Sequence, residues 1–180
     1  AGNVGYNAFS GTLQMLGAGA LPFFQAEQAV YLPVDSARTY TATVDSTGLM
    51  PGTYTVTTSL LTGDRRAMAI SVVTWTLRGP DFAVTQSPTT TTLTAGNTYT
   101  FAFGVENRGD LADNAIFRFS LGDVADQQQA QRLEVGQSGF FTFTFNVPDD
   151  LASADYLATY VVSGTLGSAV TRGDWRVSVQ

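Results

Sequence analysis

Apolar and polar residues alternate over many short segments of this chain, with the two-residue period of a half-buried β-strand. Residues 39–44 and 53–58 alternate in this way on either side of a turn at Pro51-Gly52. Proline presets one backbone angle of such a turn and glycine permits a positive φ. Residues 141–145 and 156–160 repeat the arrangement in the second half of the chain. These patterns predict two similar pairs of strands.

The spacing of aromatic residues supports an internal repeat. Tyr54 and Tyr156 each begin the second strand of a pair, and a tryptophan follows each of them. Trp75 lies 21 residues after Tyr54, and Trp175 lies 19 residues after Tyr156. A repeat of this kind is typical of tandem domains of one fold.

The sequence therefore predicts an all-β chain of two tandem β-sandwich domains, residues 1–79 and 80–180, joined at Arg78-Gly79-Pro80. Nine of the twelve phenylalanines lie in the second domain, where they can supply much of a core. The first domain has five predicted strands against about eight in the second. A missing strand would leave an exposed sheet edge, which another chain or an upstream region could fill.

Three local predictions accompany this division. Residues 23–28 are expected to form a short helical turn, and the glutamine-rich residues 123–132 a surface loop. Residues 67–77 are expected to form a strand in which Ile70, Val72 and Trp75 face the core, because apolar residues recur along it.

Charge and hydropathy exclude several classes of partner. The net charge is −6, which argues against nucleic acid and anionic membrane surfaces, since both favour a basic patch. No segment has the roughly 20 consecutive apolar residues of a membrane-spanning helix. The first residues do not resemble a signal peptide, so we expect any signal peptide to have been removed or to lie outside this sequence.

The chain contains no histidine, cysteine or lysine. This excludes the usual bases and nucleophiles of covalent catalysis, and zinc sites built on histidine or cysteine. We therefore predict a protein that is not an enzyme and needs no cofactor.

Oxygen-bearing side chains cluster in one predicted loop, at Asn107, Asp110, Asp113 and Asn114. Calcium prefers such ligands, although their spacing is not that of an EF-hand, and the same residues commonly form turns. The loop is a candidate calcium site, with turn formation as the alternative. The tripeptide Arg172-Gly173-Asp174 matches an integrin-recognition sequence, but we expect it to form the turn before the strand that carries Trp175.

Four aromatic residues are candidates for structural roles. Tyr54 and Tyr156 stand where a tyrosine corner is expected, in which the phenol hydroxyl binds nearby backbone. Trp75 and Trp175 fit core positions better than sugar-stacking platforms, because a specialised binding site would not need to recur in both halves.

The second domain resembles the CARDB-type and related fibronectin-III-like modules of bacteria, which have an immunoglobulin-like fold. The resemblance is carried by Val105-Glu106-Asn107-Arg108-Gly109, which looks like the V-x-N-x-G turn of that family, and by residues 133–138, which look like its L-x-x-G-x-S step. Residues 148–156 look like the corner of the family, with Ala154 where glycine is usual. The first domain retains only this corner, at residues 51–54, and the strands that flank it. Such modules are usually spacers, adhesion units or accessory domains.

Together these observations predict a non-catalytic structural or adhesive module of an exported extracellular or cell-surface protein. It would contact other protein chains or neighbouring domains through strand edges, and the first domain is the candidate for strand addition. The alternative is a carbohydrate-binding accessory module of a secreted enzyme, which would bind a glycan on exposed aromatic rings.

Overall fold

The computed structural model describes residues 1–20, 22–45, 48–167 and 170–180. All regular elements within these ranges are strands, so the predicted all-β fold class is confirmed. Accordingly, no helix in these ranges is long and apolar enough to cross a membrane. The chain divides into two compact units, Ala1–Leu77 and Arg78–Gln180, which we call the first and second units.

The first unit contains a four-stranded antiparallel sheet and a separate two-stranded ribbon. Its strands are β1 (Gly2–Asn3), β2 (Phe9–Ala18), β3 (Pro22–Leu32), β4 (Ser36–Ala37), β5 (Gly52–Leu61) and β6 (Ala67–Leu77). The sheet has the order β3-β2-β5-β6, and the ribbon consists of β1 and β4. Strands β3 and β6 are therefore the edges of the sheet.

The core of the first unit is small and lies on one face of this sheet. Leu13, Val30 and Leu32 are the buried residues of this cluster. Met15 packs against them from the same face of β2 as Leu13, as the alternation of that segment predicts. Tyr40 packs there too, so its segment covers part of this face, which we call the inner face.

Two segments of the first unit differ from the sequence prediction. Residues 39–44 form no strand in the part of the chain that the structure describes, although Tyr40 packs against the core. The helical turn predicted for residues 23–28 is also wrong, since they belong to β3 and pair with β2. Alanine, glutamate and glutamine are good helix formers, but intrinsic propensity is small compared with tertiary interactions, and pairing in a sheet overrides it here.

The second unit is a sandwich of two sheets. Its strands are β7 (Phe82–Gln86), β8 (Thr92–Leu93), β9 (Thr98–Asn107), β10 (Asp113–Leu121), β11 (Ala125–Leu133), β12 (Ser138–Asn146), β13 (Asp155–Ser163) and β14 (Thr171–Val179). One sheet has the order β11-β10-β13-β14-β8 and the other the order β12-β9-β7.

Phenylalanine rings fill the space between these sheets. Alternate residues of β12 are buried and exposed, so Phe141, Phe143 and Phe145 point inward while Phe140 faces solvent. The ring of Phe103 lies 4.7 Å from that of Phe117 and 5.9 Å from that of Phe143. Contacts of this kind between aromatic rings stabilise a core beyond the area that they bury.

The glutamine-rich segment is a strand and not the predicted surface loop. Residues of β11 pair with β10 over its whole length. Its glutamine side chains also reach β12, the neighbouring edge strand of the other sheet. Gln127 donates to the carbonyl of Thr144 at 2.9 Å, and Gln129 donates to the carbonyl of Thr142 at 2.7 Å. The backbone N–H of Thr142 donates in return to Gln129 Oε1 at 3.3 Å. Side-chain amides thus join the two edges of the sandwich.

Candidate interaction surface of the first unit

Strand β6 is an uncovered edge of the first sheet. Its first eight residues, 67–74, are all exposed, and Ile70 and Val72 expose 63% and 59% of their surfaces. These two residues lie opposite Ser59 and Thr57 of β5, on the face of the sheet turned away from Leu13. The prediction that Ile70 and Val72 face the core is therefore wrong. Trp75, which was predicted to share their face, lies on the opposite one, because successive residues of a strand point to alternate faces.

The composition of β6 is unusual for a strand edge. The segment from Ala67 to Leu77 contains no charged residue and no proline. Proteins commonly protect free edges with charged residues, prolines, bulges or a covering segment. The opposite edge, β3, begins at Pro22 and carries Glu27, which forms an ion pair with Arg65 at 3.0 Å. A hydrogen bond from Gln14, followed by the pairing with Arg65, lowers the pKa of Glu27, so it stays charged.

An open groove of about 320 Å³ runs beside β6 on the inner face of the sheet. Met15 and Leu60 of the sheet contribute to its lining, as does Ala1 at the chain terminus. Strand β6 contributes Ala69, Ser71 and the intervening Ile70. The backbone edge of β6 is thus flanked by apolar surface on both faces.

Tyr54 anchors the other end of this sheet. Its hydroxyl donates to the carbonyl of Met50 at 2.5 Å, which is the contact expected of a tyrosine corner. Its ring stacks on Trp75 at 5.1 Å, and Phe23 meets both rings edge-on. A Cβ atom at Gly19 would lie 2.7 Å from the Tyr54 ring, so this close approach requires glycine.

Tyr156 makes the equivalent contact in the second unit, where its hydroxyl donates to the carbonyl of Ala152 at 2.9 Å. Trp175 is placed differently from Trp75. It lies opposite Ala158 and packs among the core rings, 5.9 Å from Phe101 and from Phe103. Its Nε1 is buried and has no hydrogen-bond partner among the described residues.

Trp75 lies directly opposite Tyr54 in the sheet of the first unit. The two tyrosines therefore make the same contact, while the tryptophans occupy different places in their sheets.

Asn107, the first residue of the candidate calcium loop, is completely buried. Its Nδ2 donates to the carbonyls of Leu111 and Leu133, at 2.8 and 3.2 Å. Its Oδ1 accepts from the backbone N–H groups of Gly109 and Asp81, at 3.0 and 3.3 Å. This side chain thus connects three segments of the second unit, and its oxygen already has two N–H donors.

Asp110 and Asp113 also direct their carboxylates at N–H groups. Asp110 binds Arg78 in a bidentate pair, at 2.8 and 3.2 Å, and this hydrogen bonding lowers the pKa of Asp110. Asp113, 3% exposed, accepts from the backbone N–H groups of Thr165 and Leu166 and from the Thr165 hydroxyl. Burial raises the pKa of Asp113, but these hydrogen bonds outweigh it and leave the pKa lowered.

These contacts favour a structural role for the three side chains, which connect segments of the second unit by hydrogen bonds, over the binding of a cation. Within the described residues, no group of three or more histidine, cysteine, aspartate or glutamate side chains is placed to hold a metal ion. The sequence places these oxygens in one loop, but it does not reveal that each side chain binds a different segment of the unit.

The tripeptide Arg172-Gly173-Asp174 lies within β14, where it pairs with residues 159–161 of β13. The prediction that it forms a turn is therefore wrong. A Cβ atom at Gly173 would lie 2.4 Å from the ring of Tyr160, so glycine is required here by the packing of that ring.

Comparison with known proteins gave similarity to solved structures only. No protein-family model and no curated protein match this chain. One similar structure is the CARDB domain of the PF1109 protein from Pyrococcus furiosus, solved in complex with di-metal ions. It is 15% identical, with a TM-score of 0.45 over 58% of this chain and 91% of that domain.

Larger proteins also show partial similarity. The α2-macroglobulin of E. coli matches 87% of this chain at 15% identity, with a TM-score of 0.46, and red sea bream transglutaminase matches 99% at 13% identity, with a TM-score of 0.44. The chain spans only 10% and 28% of those two proteins. Similarity of this degree says nothing about function, which has to be argued from the residues of this chain.

Proposed function

We propose that this chain is a non-catalytic structural or adhesive module that binds other protein chains by strand addition at β6. The observation that carries the proposal is the uncovered, uncharged edge of that strand. Backbone N–H and C=O groups on such an edge give affinity to an incoming strand, and side chains on alternate positions give specificity. Ile70 and Val72 would contact the incoming strand on one face, and Ala69 and Val73 on the other.

The remaining sheet edges are less suited to this role. In the part of the chain that the structure describes, β11 and β12 are joined by glutamine side chains. Strand β7 has five residues and an irregular register, and β8 has two residues. Short and irregular edges are poor templates for another strand. Strand β6 combines length, exposure and lack of charge.

The carbohydrate-binding alternative has less support. Trp75 is partly exposed, but its ring stacks on Tyr54 and meets Phe23, while Trp175 packs among the rings of the sandwich. A sugar-binding platform needs a free ring face. An exported location is part of the proposal and would be tested by labelling intact cells of the source organism with an antibody raised against the chain.

A peptide library tests strand addition directly. Twelve-residue peptides of alternating apolar and polar residues, displayed on phage, would be selected on the immobilised full chain. We expect enriched peptides whose binding weakens at least about tenfold in Val72→Lys, because a charged residue, lysine above all, on an edge strand opposes pairing with another strand.

The matched control is Gln25→Lys, which places the same charge at an exposed position of the opposite edge strand. We expect it to bind the peptides as the native chain does. Selection without enrichment, or peptides that bind Val72→Lys as tightly as the native chain, would contradict strand addition at β6.

A further inference from the structure

We infer that one partner of the β6 edge is β6 of a second copy of this chain, paired antiparallel about a two-fold axis. This inference rests on the proposed function and names the strand that occupies the edge. A strand that pairs with this edge must itself be exposed and have a free backbone edge. Strand β6 meets both requirements, and it also lacks charge and is apolar on both faces.

The sequence of β6 is self-complementary in one antiparallel register. When Ser71 of one copy lies opposite Ser71 of the other, each Ile70 meets Val72 and each Ala69 meets Val73. Pairs of β-branched residues directly across two strands stabilise an antiparallel sheet. The inner face of each sheet continues into the inner face of the other, because a two-fold axis perpendicular to the sheet preserves its faces.

Absence of charge removes the usual obstacle to such a pairing. Identical edges that carry lysine or glutamate place like charges near each other about a two-fold axis, which opposes association. Each chain has a net charge of −6, but Ala67–Leu77 contributes nothing to it. The symmetric contact therefore brings no charged residues of this strand together.

The size of the contact predicts its strength. A single strand pair buries less area than the roughly 1,200–2,000 Å² of a standard stable interface. We therefore expect a reversible dimer with a Kd that is roughly micromolar. Light scattering of the full chain over a concentration series would show conversion from monomer to dimer. Val72→Lys would shift the conversion to at least about tenfold higher concentration, and Gln25→Lys would leave it unchanged.

Cysteine substitutions test the register, because the native chain contains no cysteine. Opposite residues of antiparallel strands have Cα atoms about 4.5–5.5 Å apart. This distance lies within the range of about 4.4–6.8 Å that a disulfide spans. Ser71→Cys should therefore form a covalent dimer under mild oxidation. Thr74→Cys is the control on the same strand, since its two copies would lie about 20 Å apart in this register.

The outcomes separate this inference from the proposed function. A dimer that Val72→Lys weakens, and that Ser71→Cys but not Thr74→Cys makes covalent, supports the inference. A chain that stays monomeric at all concentrations overturns it, as does a dimer that Val72→Lys leaves unchanged or in which both cysteines cross-link equally. If the monomeric chain still binds the selected peptides through β6, the proposed function stands without the second copy.

Discussion

At the scale of single residues, most side chains that the sequence offers as candidate ligands form hydrogen bonds with backbone groups of the protein itself. Asn107 binds the backbone of four residues, and a Cβ atom at Gly109 would lie 2.2 Å from the carbonyl oxygen of Gly79. The V-x-N-x-G turn therefore holds the start of the second unit against its neighbouring loop. The motif was visible in the sequence, but its partners lie up to 26 residues away and could not be inferred from spacing.

Asp113 should make the stability of the second unit depend on pH. Its pKa is lowered in the folded state, so its stabilising contribution is present above the pKa of the unfolded chain and is lost as pH falls through the folded value. Asp113→Asn should reduce the free energy of unfolding by about 1.5–3 kcal/mol at pH 7, because hydrogen bonds to a charged group are lost. Urea unfolding at several pH values should show this difference shrink below about pH 4. A difference that is constant with pH would contradict the role of the carboxylate.

The two tyrosine corners allow a matched comparison. Tyr54→Phe and Tyr156→Phe each remove one hydroxyl that donates to a carbonyl four residues earlier. Each should cost about 1 kcal/mol, or roughly 4–8 °C in the Tm of its unit. Thermal melts of the two variants provide the measurement, and Tyr31→Phe, at an exposed position, is the control. Melts that match the native chain in both variants would remove the corner assignment.

For whole strands, the alternation of apolar residues predicted those that are buried on one face. Strands β9, β10 and β12 follow the predicted pattern because each has one face in the sandwich core. Strand β11 has no such pattern, since most of its residues are exposed and its glutamines bind another strand. The alternation of apolar residues indicates a strand with one buried face. It cannot reveal a strand that is stabilised mainly by its backbone hydrogen bonds.

The amide bridges between β11 and β12 should stabilise the open side of the sandwich. Replacing both Gln127 and Gln129 by leucine removes three hydrogen bonds with the backbone of β12 and should cost about 1.5–4 kcal/mol. Hydrogen exchange should also accelerate at the Thr142 N–H, which donates to Gln129. Gln128→Leu is the control, because Gln128 lies opposite Arg118 in the sheet and, in the described part of the chain, forms no hydrogen bond with β12. Equal stability of the double variant and this control would contradict the bridging role.

At the scale of the whole molecule, the two units differ in how much core they bury. Among the residues that the structure describes, the second unit has 19 buried apolar residues in one cluster, and the first has three in its cluster. The sequence predicted this difference from the distribution of phenylalanine. It did not predict that β6 would be exposed on both faces, because an apolar strand looks the same whether its neighbours are present or absent.

The first unit should therefore unfold at a lower temperature than the second. Each unit has one tryptophan, so Trp175→Phe leaves fluorescence that reports the first unit and Trp75→Phe leaves fluorescence that reports the second. We expect the Trp75 signal to change first on heating. Calorimetry of the native chain provides the comparison, and a single transition shared by both signals would contradict independent unfolding.

The glutamine bridges have a consequence for the surroundings in which the sandwich can work. Uncharged amides neither titrate nor attract counterions, so the hydrogen bonds between β11 and β12 should be equally stable at low salt, at high salt and in acid. The exposed pair of Arg78 and Asp110 behaves differently, because dissolved ions screen such charges over about 8 Å at physiological salt. The link between β11 and β12 therefore does not depend on the salt or the acidity of the medium, although the stability of the whole unit does.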